Sequence, residues 1–156
     1  INRDFISALT QSDNELIRIK SLSIIIQILM SPSFFNHDEF IGRIQQFNEL
    51  SPDLSFNLKT ELLPIYTVLC KNLGESDIDI LINETFVSNI CDFLICGEYD
   101  IVFSMLQICA KLVQISPKFA AFLFDNVSIL EDLLNDEPDF SELITNIIEF
   151  LNSLQE

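Results

Sequence analysis

The chain has 156 residues, 49% of them hydrophobic, and its aromatic residues are 14 Phe and two Tyr with no Trp. This much apolar surface offsets the entropy of ordering a chain, so disorder is excluded, and the length suits one ordinary domain with a sizeable core. A net charge of −16, from 24 acidic and eight basic residues, argues against an unaided nucleic-acid binder and against attachment to anionic membranes.

Three Gly and five Pro are too few for a β-sandwich of many tight turns. They fall between long periodic segments, which favours helices. The first segment, Ile1 to Thr10, sets Phe5, Ile6 and Leu9 on one side and breaks at Gln11-Ser12-Asp13. Asp13 or Ser12 can cap a helix from about Asn14 to Met30 by accepting from its orphan N–H groups. Its apolar run, Ser21 to Met30, is too short and too interrupted to span a bilayer. Ser31-Pro32-Ser33 ends it, because the residue before proline disfavours the α region. Asp38 to Leu50 is a shorter amphipathic helix with Phe40, Ile41, Ile44 and Phe47 as its apolar edge. A turn at Ser51-Pro52-Asp53 leads to a second long segment, Ser55 to Leu73, which Pro64 should kink or split.

The pattern then recurs. Gly74 to Asp77 is a break, followed by a short apolar piece from Ile78 to Ile82 and a medium helix from Glu84 to Cys96. Gly97-Glu98 turns the chain into a long helix, Tyr99 to Ile115. Pro117 suits the first turn of a short helix through Phe124. Val127 to Leu134 is another medium helix, Asn135 to Pro138 a turn, and Asp139 to Leu154 the last long helix.

Asp13, Asp53, Asp100 and Asp139 mark four equivalent turns, spaced by 40, 47 and 39 residues. Each unit reads as a medium helix, an acidic turn and a long helix. Periods of about 40 to 47 residues with two or three helices per unit characterise armadillo and HEAT arrays. The chain resembles an armadillo-repeat protein, best between Phe86 and Leu154. There Phe93, Leu94, Asp100, Val102, Leu106 and Leu112 fill the family pattern in one unit. Leu133, Leu134, Asp139, Ile144, Ile148 and Leu151 fill it in the next. The resemblance implies an all-α fold, a right-handed α-solenoid of about four units. Their approximate limits are 1–31, 32–73, 74–115 and 116–156, in a single armadillo-like domain. An opening on Ile1 rather than Met, with no charged segment before a cleavage site, reads as an excerpt of a longer protein.

The long helices share an unusual surface. From Tyr99 to Ile115 the polar residues Ser104, Gln107, Lys111 and Gln114 recur at i, i+3, i+7 and i+10. That spacing draws one narrow polar seam down an otherwise apolar helix, the reverse of an ordinary surface helix. The first long helix has Lys20, Ser23 and Gln27; the second has Asn57, Thr60, Pro64, Thr67 and Lys71; the fourth has Glu142, Thr145, Glu149 and Asn152. Counted from the turn Asp, three positions in each helix fall at offsets of 6–7, 10–11 and 13–14. In armadillo arrays the third helix of each unit lines a concave groove, so the resemblance places these seams there as one ladder.

Three of the eight basic residues, Lys20, Lys71 and Lys111, lie on the seams. Two accounts fit. Every solenoid must solvate one face; alternatively the seams bind an extended or acidic segment of a partner protein. The candidate partner-binding residues are Lys20, Gln27, Thr60, Thr67, Lys71, Gln107, Lys111 and Gln114. The family's nuclear-import members hold basic signals on rows of Trp and Asn, and a chain without Trp is not expected to do so. The function expected is a non-enzymatic protein-interaction scaffold. The alternative is a structural segment of a larger helical array whose partners bind elsewhere.

Catalytic patterns are absent from the sequence. His37, the sole histidine, precedes Asp38 at a helix start, which suits solvation or capping rather than catalysis. Cys91 and Cys96 have no zinc-site spacing, and the three glycines stand alone, without a phosphate loop. No cofactor or metal is expected, nor enzyme activity. Cys70, Cys91, Cys96 and Cys109 lie in apolar segments without framework spacing, which favours reduced thiols in a cytoplasmic protein over disulfides. Sequons at Asn83 and Asn126 are the kind that arise by chance. Phe119, Phe122 and Phe124 read as packing of the short helix, with an exposed aromatic patch as the alternative.

Overall fold

Polar side chains that accept from orphan backbone N–H groups set where four of these helices begin. The computed structural model describes residues 3–156, and among them all regular structure is helical. The chain divides into two compact units, residues 1–71 and 72–156.

The first unit contains α1 (Arg3–Leu9), α2 (Glu15–Leu29), α3 (His37–Leu50), α4 (Phe56–Lys59) and most of α5 (Leu63–Asn72). Ile1 and Asn2 of the expected first helix lie outside the described residues. Asn14 caps α2 by accepting from the Ile17 N–H at 3.1 Å, in place of Asp13 or Ser12. Ser12 Oγ accepts from the Asn14 N–H and braces the cap itself. Asn36 caps α3 through the Glu39 N–H at 3.0 Å. The expected edge of α3, Phe40, Ile41, Ile44 and Phe47, is buried. Arg43, on the same helix, donates to Ser7 Oγ at 2.7 Å and to Thr10 Oγ1 at 3.3 Å. It therefore ties α3 to the end of α1.

The segment from Ser55 to Leu73 is split, and Pro64 is the reason. Proline has no N–H to offer the Thr60 carbonyl four residues back. That carbonyl accepts instead from the Leu63 N–H, which closes a 3₁₀ turn over Thr60–Leu62 between α4 and α5.

The second unit contains α6 (Glu75–Leu81), α7 (Glu84–Leu94), α8 (Tyr99–Ile115), α9 (Pro117–Asp125), α10 (Val127–Asp136) and α11 (Ser141–Ser153). α6 begins inside the segment expected to be a break, with Glu75 and Asp77 in its first turn where the helix dipole favours them. Asn83 caps α7 through the Phe86 N–H at 2.8 Å. Ser116 caps α9 through the Phe119 N–H at 3.0 Å, and Pro117 follows it at the first helical position. The tight turn from α7 into α8 needs Gly97, whose φ is 78°.

α8 is the centre of this unit and packs against α7, α9 and α11. Around it Phe86, Phe93, Phe119 and Phe140 are fully buried. Phe119 meets Phe86 edge-on, with ring centroids 6.4 Å apart at 88°, the arrangement the ring quadrupoles favour. Phe122 and Phe124 are half-buried. The aromatic run thus packs α9 into the core. Replacing Phe119 by Ala should lower unfolding free energy by about 3–5 kcal/mol, whereas Leu154→Ala at an exposed position should stay within about 0.5 kcal/mol. Paired denaturant titrations followed by circular dichroism check this.

Candidate functional site

A 3.6-residue period leaves one stripe of α8 uncovered once three neighbours are packed on it. Val102, Met105, Leu106, Ile108, Cys109, Leu112 and Val113 are buried. Ser104, Gln107, Lys111 and Gln114 are all exposed and form a stripe about 15 Å long. Phe103, 40% exposed, flanks it. Lys111 makes no ion pair with any described residue. On α11, which packs against α8, Glu142, Glu149 and Asn152 are exposed and Thr145 is half-buried.

The first unit departs further from expectation. Lys20 is exposed, and its ammonium pairs with the Glu61 carboxylate. Ser23, expected on the open seam, is buried, and its Oγ donates to the Glu61 carbonyl at 3.3 Å. The 3₁₀ turn that Pro64 imposes packs against α2 and carries Glu61. Gln27 remains exposed and donates to Ser23 Oγ at 3.3 Å. The open face of α2 also includes Leu16, Ile17 and Ile24 around Lys20, and is more apolar than the sequence pattern implied.

The hydroxyls of Thr60 and Thr67 donate to backbone carbonyls within their own segments, at 2.7 Å to Asn57 and 2.8 Å to Pro64. Lys71 is exposed near the C-terminal end of α5, where a cation complements the helix dipole. Of the eight candidate residues, Gln107, Lys111 and Gln114 share one open helical face. Lys20 and Gln27 share another on α2. Thr60 sits on the 3₁₀ turn, and Thr67 and Lys71 on α5.

His37 is exposed, with Nδ1 2.9 Å from Asp38 Oδ1, and Asn36 takes the capping role. Asn83 and Asn126, the two sequon residues, engage their side chains locally: Asn83 caps α7, and Asn126 Nδ2 donates to the Phe122 carbonyl at 2.9 Å. Among the described residues, no group of three His, Cys, Asp or Glu is placed to hold a metal. Nor is any described helix long and apolar enough to cross a membrane. All four cysteines are free thiols, Cys91 and Cys109 being buried.

Sequence reasoning missed a half-open hollow of about 310 Å³ beside the Gly97 turn. No periodic signal marks it, because its lining comes from α7, α8, α10 and the turn before α11. No protein-family model, no curated protein and no solved structure matches this chain.

Burial, with the Asp92 carboxylate adding to it, pushes the Cys91 thiol from 9.0 up to about 11. Deprotonation is thus easier in the unfolded chain than in the native one. The stability that Cys91 contributes is fully present below pH 9 and is lost as pH rises through 11. Iodoacetamide at pH 8.5 should therefore label the half-buried Cys70 and Cys96 well before Cys91, as peptide mass spectrometry will show. The loss of denaturant resistance between pH 9 and 11 should be smaller in Cys91→Ala than in the wild type.

Proposed function

We propose that this chain is a non-enzymatic protein-interaction scaffold built from armadillo-like helical repeats, and that a partner segment docks along the seam of α8. The observation that supports this most is the exposed row Ser104, Gln107, Lys111 and Gln114 on a helix otherwise packed by α7, α9 and α11. Its amide and ammonium groups can hydrogen-bond the backbone of an extended chain, and Lys111 adds a cation suited to an acidic side chain. The repeat reading draws support from the recurrence of a medium helix, a turn and a longer helix in α7–α8 and again in α10–α11, with α9 connecting them. Free thiols suit a reducing compartment such as the cytoplasm.

A second reading, a structural segment of a larger helical array, is favoured by one observation. Leu16, Ile17 and Ile24 of α2 are 53%, 42% and 41% exposed on a common face, as a helix face awaiting a neighbouring element would be.

A photo-crosslinking residue placed at Gln107 should capture a partner that the same residue at exposed Ser128 on α10 does not. With that partner purified, Lys111→Glu combined with Gln114→Ala should weaken binding at least about tenfold. Helical content should be unchanged. Equal affinity of the folded double variant would remove the seam from the function.

A further inference from the structure

The two units differ sharply in charge. Residues 1–71 carry six basic against eight acidic side chains, whereas residues 72–156 carry two lysines against sixteen acidic residues. Of those two lysines, Lys118 donates to the Asp79 carbonyl at 3.0 Å. Lys111 lies twelve residues along α8 from Tyr99, about 18 Å of helix. Neither lines the hollow beside the Gly97 turn.

That hollow has an apolar floor and an acidic rim. Leu94, Val102 and Phe140 at its base are buried. Ile95 and Tyr99 line it while 64% and 53% exposed, a large apolar and aromatic surface left to water. Asp132, Asp136 and Glu137 stand on the α10 side. Because 132 and 136 are one helical turn apart, their side chains lie on the same face of α10. Tyr99 is held in place by Phe140, with ring centroids 4.8 Å apart, and by Phe103 at 6.5 Å. The wall is thus an aromatic surface with like charges beside it, and none of the described residues lining the hollow is a cation.

We propose that this hollow is a docking site for a basic, apolar-anchored segment of a partner protein. An apolar side chain such as Leu enters against Ile95 and the floor. An adjacent arginine lays its stem along Tyr99 and brings its guanidinium to the carboxylates of Asp132, Asp136 and Glu137. Arginine fits because its planar fork pairs with carboxylates while its flat face stacks on an aromatic ring. The volume, about 310 Å³, accommodates one such anchor rather than a whole helix. This site is separate from the α8 seam and does not depend on it.

The test uses the full chain labelled with ¹⁵N and three fluorescent twelve-residue peptides: one of alternating Leu-Arg-Ser units, one with Glu in place of Arg, and one with Gly in place of Leu. The Leu-Arg peptide should bind and shift the amide resonances of Ile95, Gly97, Tyr99 and Leu133. The Glu peptide should not bind, and the Gly-Arg peptide should bind at least about tenfold more weakly. Neutralising the rim with Asp132→Asn, Asp136→Asn and Glu137→Gln should weaken the Leu-Arg peptide at least about tenfold. Ile95→Ser should do the same, without threat to folding at so exposed a position. As a control of equal charge change, Glu142→Gln, Glu149→Gln and Glu156→Gln should leave the affinity within about twofold. Equal weakening by the control would reduce the interaction to diffuse attraction and overturn the site. So would resonance shifts confined to Gln107, Lys111 and Gln114, or no binding of the Leu-Arg peptide at all.

Discussion

Burial of α8 on three sides is the constraint that organises residues 72–156. Seven of its apolar side chains are withdrawn from water against α7, α9 and α11. Each large aliphatic group buried in this way contributes roughly 1.5–3 kcal/mol relative to exposure. The neighbours in turn depend on it: Phe86 and Phe93 from α7, Phe119 from α9 and Ile144 from α11 are fully buried in this core. A helix covered so far round has a single stripe left for polar groups, and the seam occupies it. The seam is therefore first a consequence of packing and only then a surface available for recognition.

In residues 1–71 a single missing N–H has comparable reach. Without a donor from Pro64, the Thr60 carbonyl is satisfied by a 3₁₀ bond from Leu63, and the helix narrows into a tighter turn. That turn packs on α2, where Glu61 offers its carbonyl to Ser23 and its carboxylate to Lys20. The ion pair is largely exposed and worth no more than about 1 kcal/mol. The turn covers Ser23 through the Glu61 carbonyl and the ion pair neutralises the Lys20 charge locally, while neighbouring Ile24 is exposed. The same nominal seam is a polar stripe on α8 and a mixed apolar face on α2.

Charge follows the same division. The excess of acid lies almost wholly in residues 72–156, where the two lysines cannot neutralise sixteen carboxylates. Such repulsion opposes compaction and keeps copies of the chain apart. It also makes any hollow with an acidic rim attractive to cations. Cations are thus favoured beside Tyr99, whereas Lys111 gives the α8 seam a local opposite sign.

Much of this was legible in the linear chain. Period 3.6 patterning, Ser-Pro and Gly breaks and the acidic turns located the helices to within a few residues. The buried edge of α3 and the place of Pro117 in the first turn of α9 follow from side-chain chemistry at fixed spacing. The exposed seam of α8 was legible for the same reason: a helix repeats its faces, so local sequence decides which residues share one. Caps were less legible where Ser12, Asp13 and Asn14 compete, since only backbone direction selects the acceptor. Two features needed the tertiary structure. Burial of Ser23 depends on a turn 38 residues away arriving beside it. The hollow near Gly97 depends on four segments meeting, with carboxylates from α10 lining the same space as Tyr99 of α8 and Phe140 of the turn before α11. Helix periodicity is a local property and is written in consecutive residues; a neighbour's approach is not, and that is why the seam could be read in advance and its covering could not.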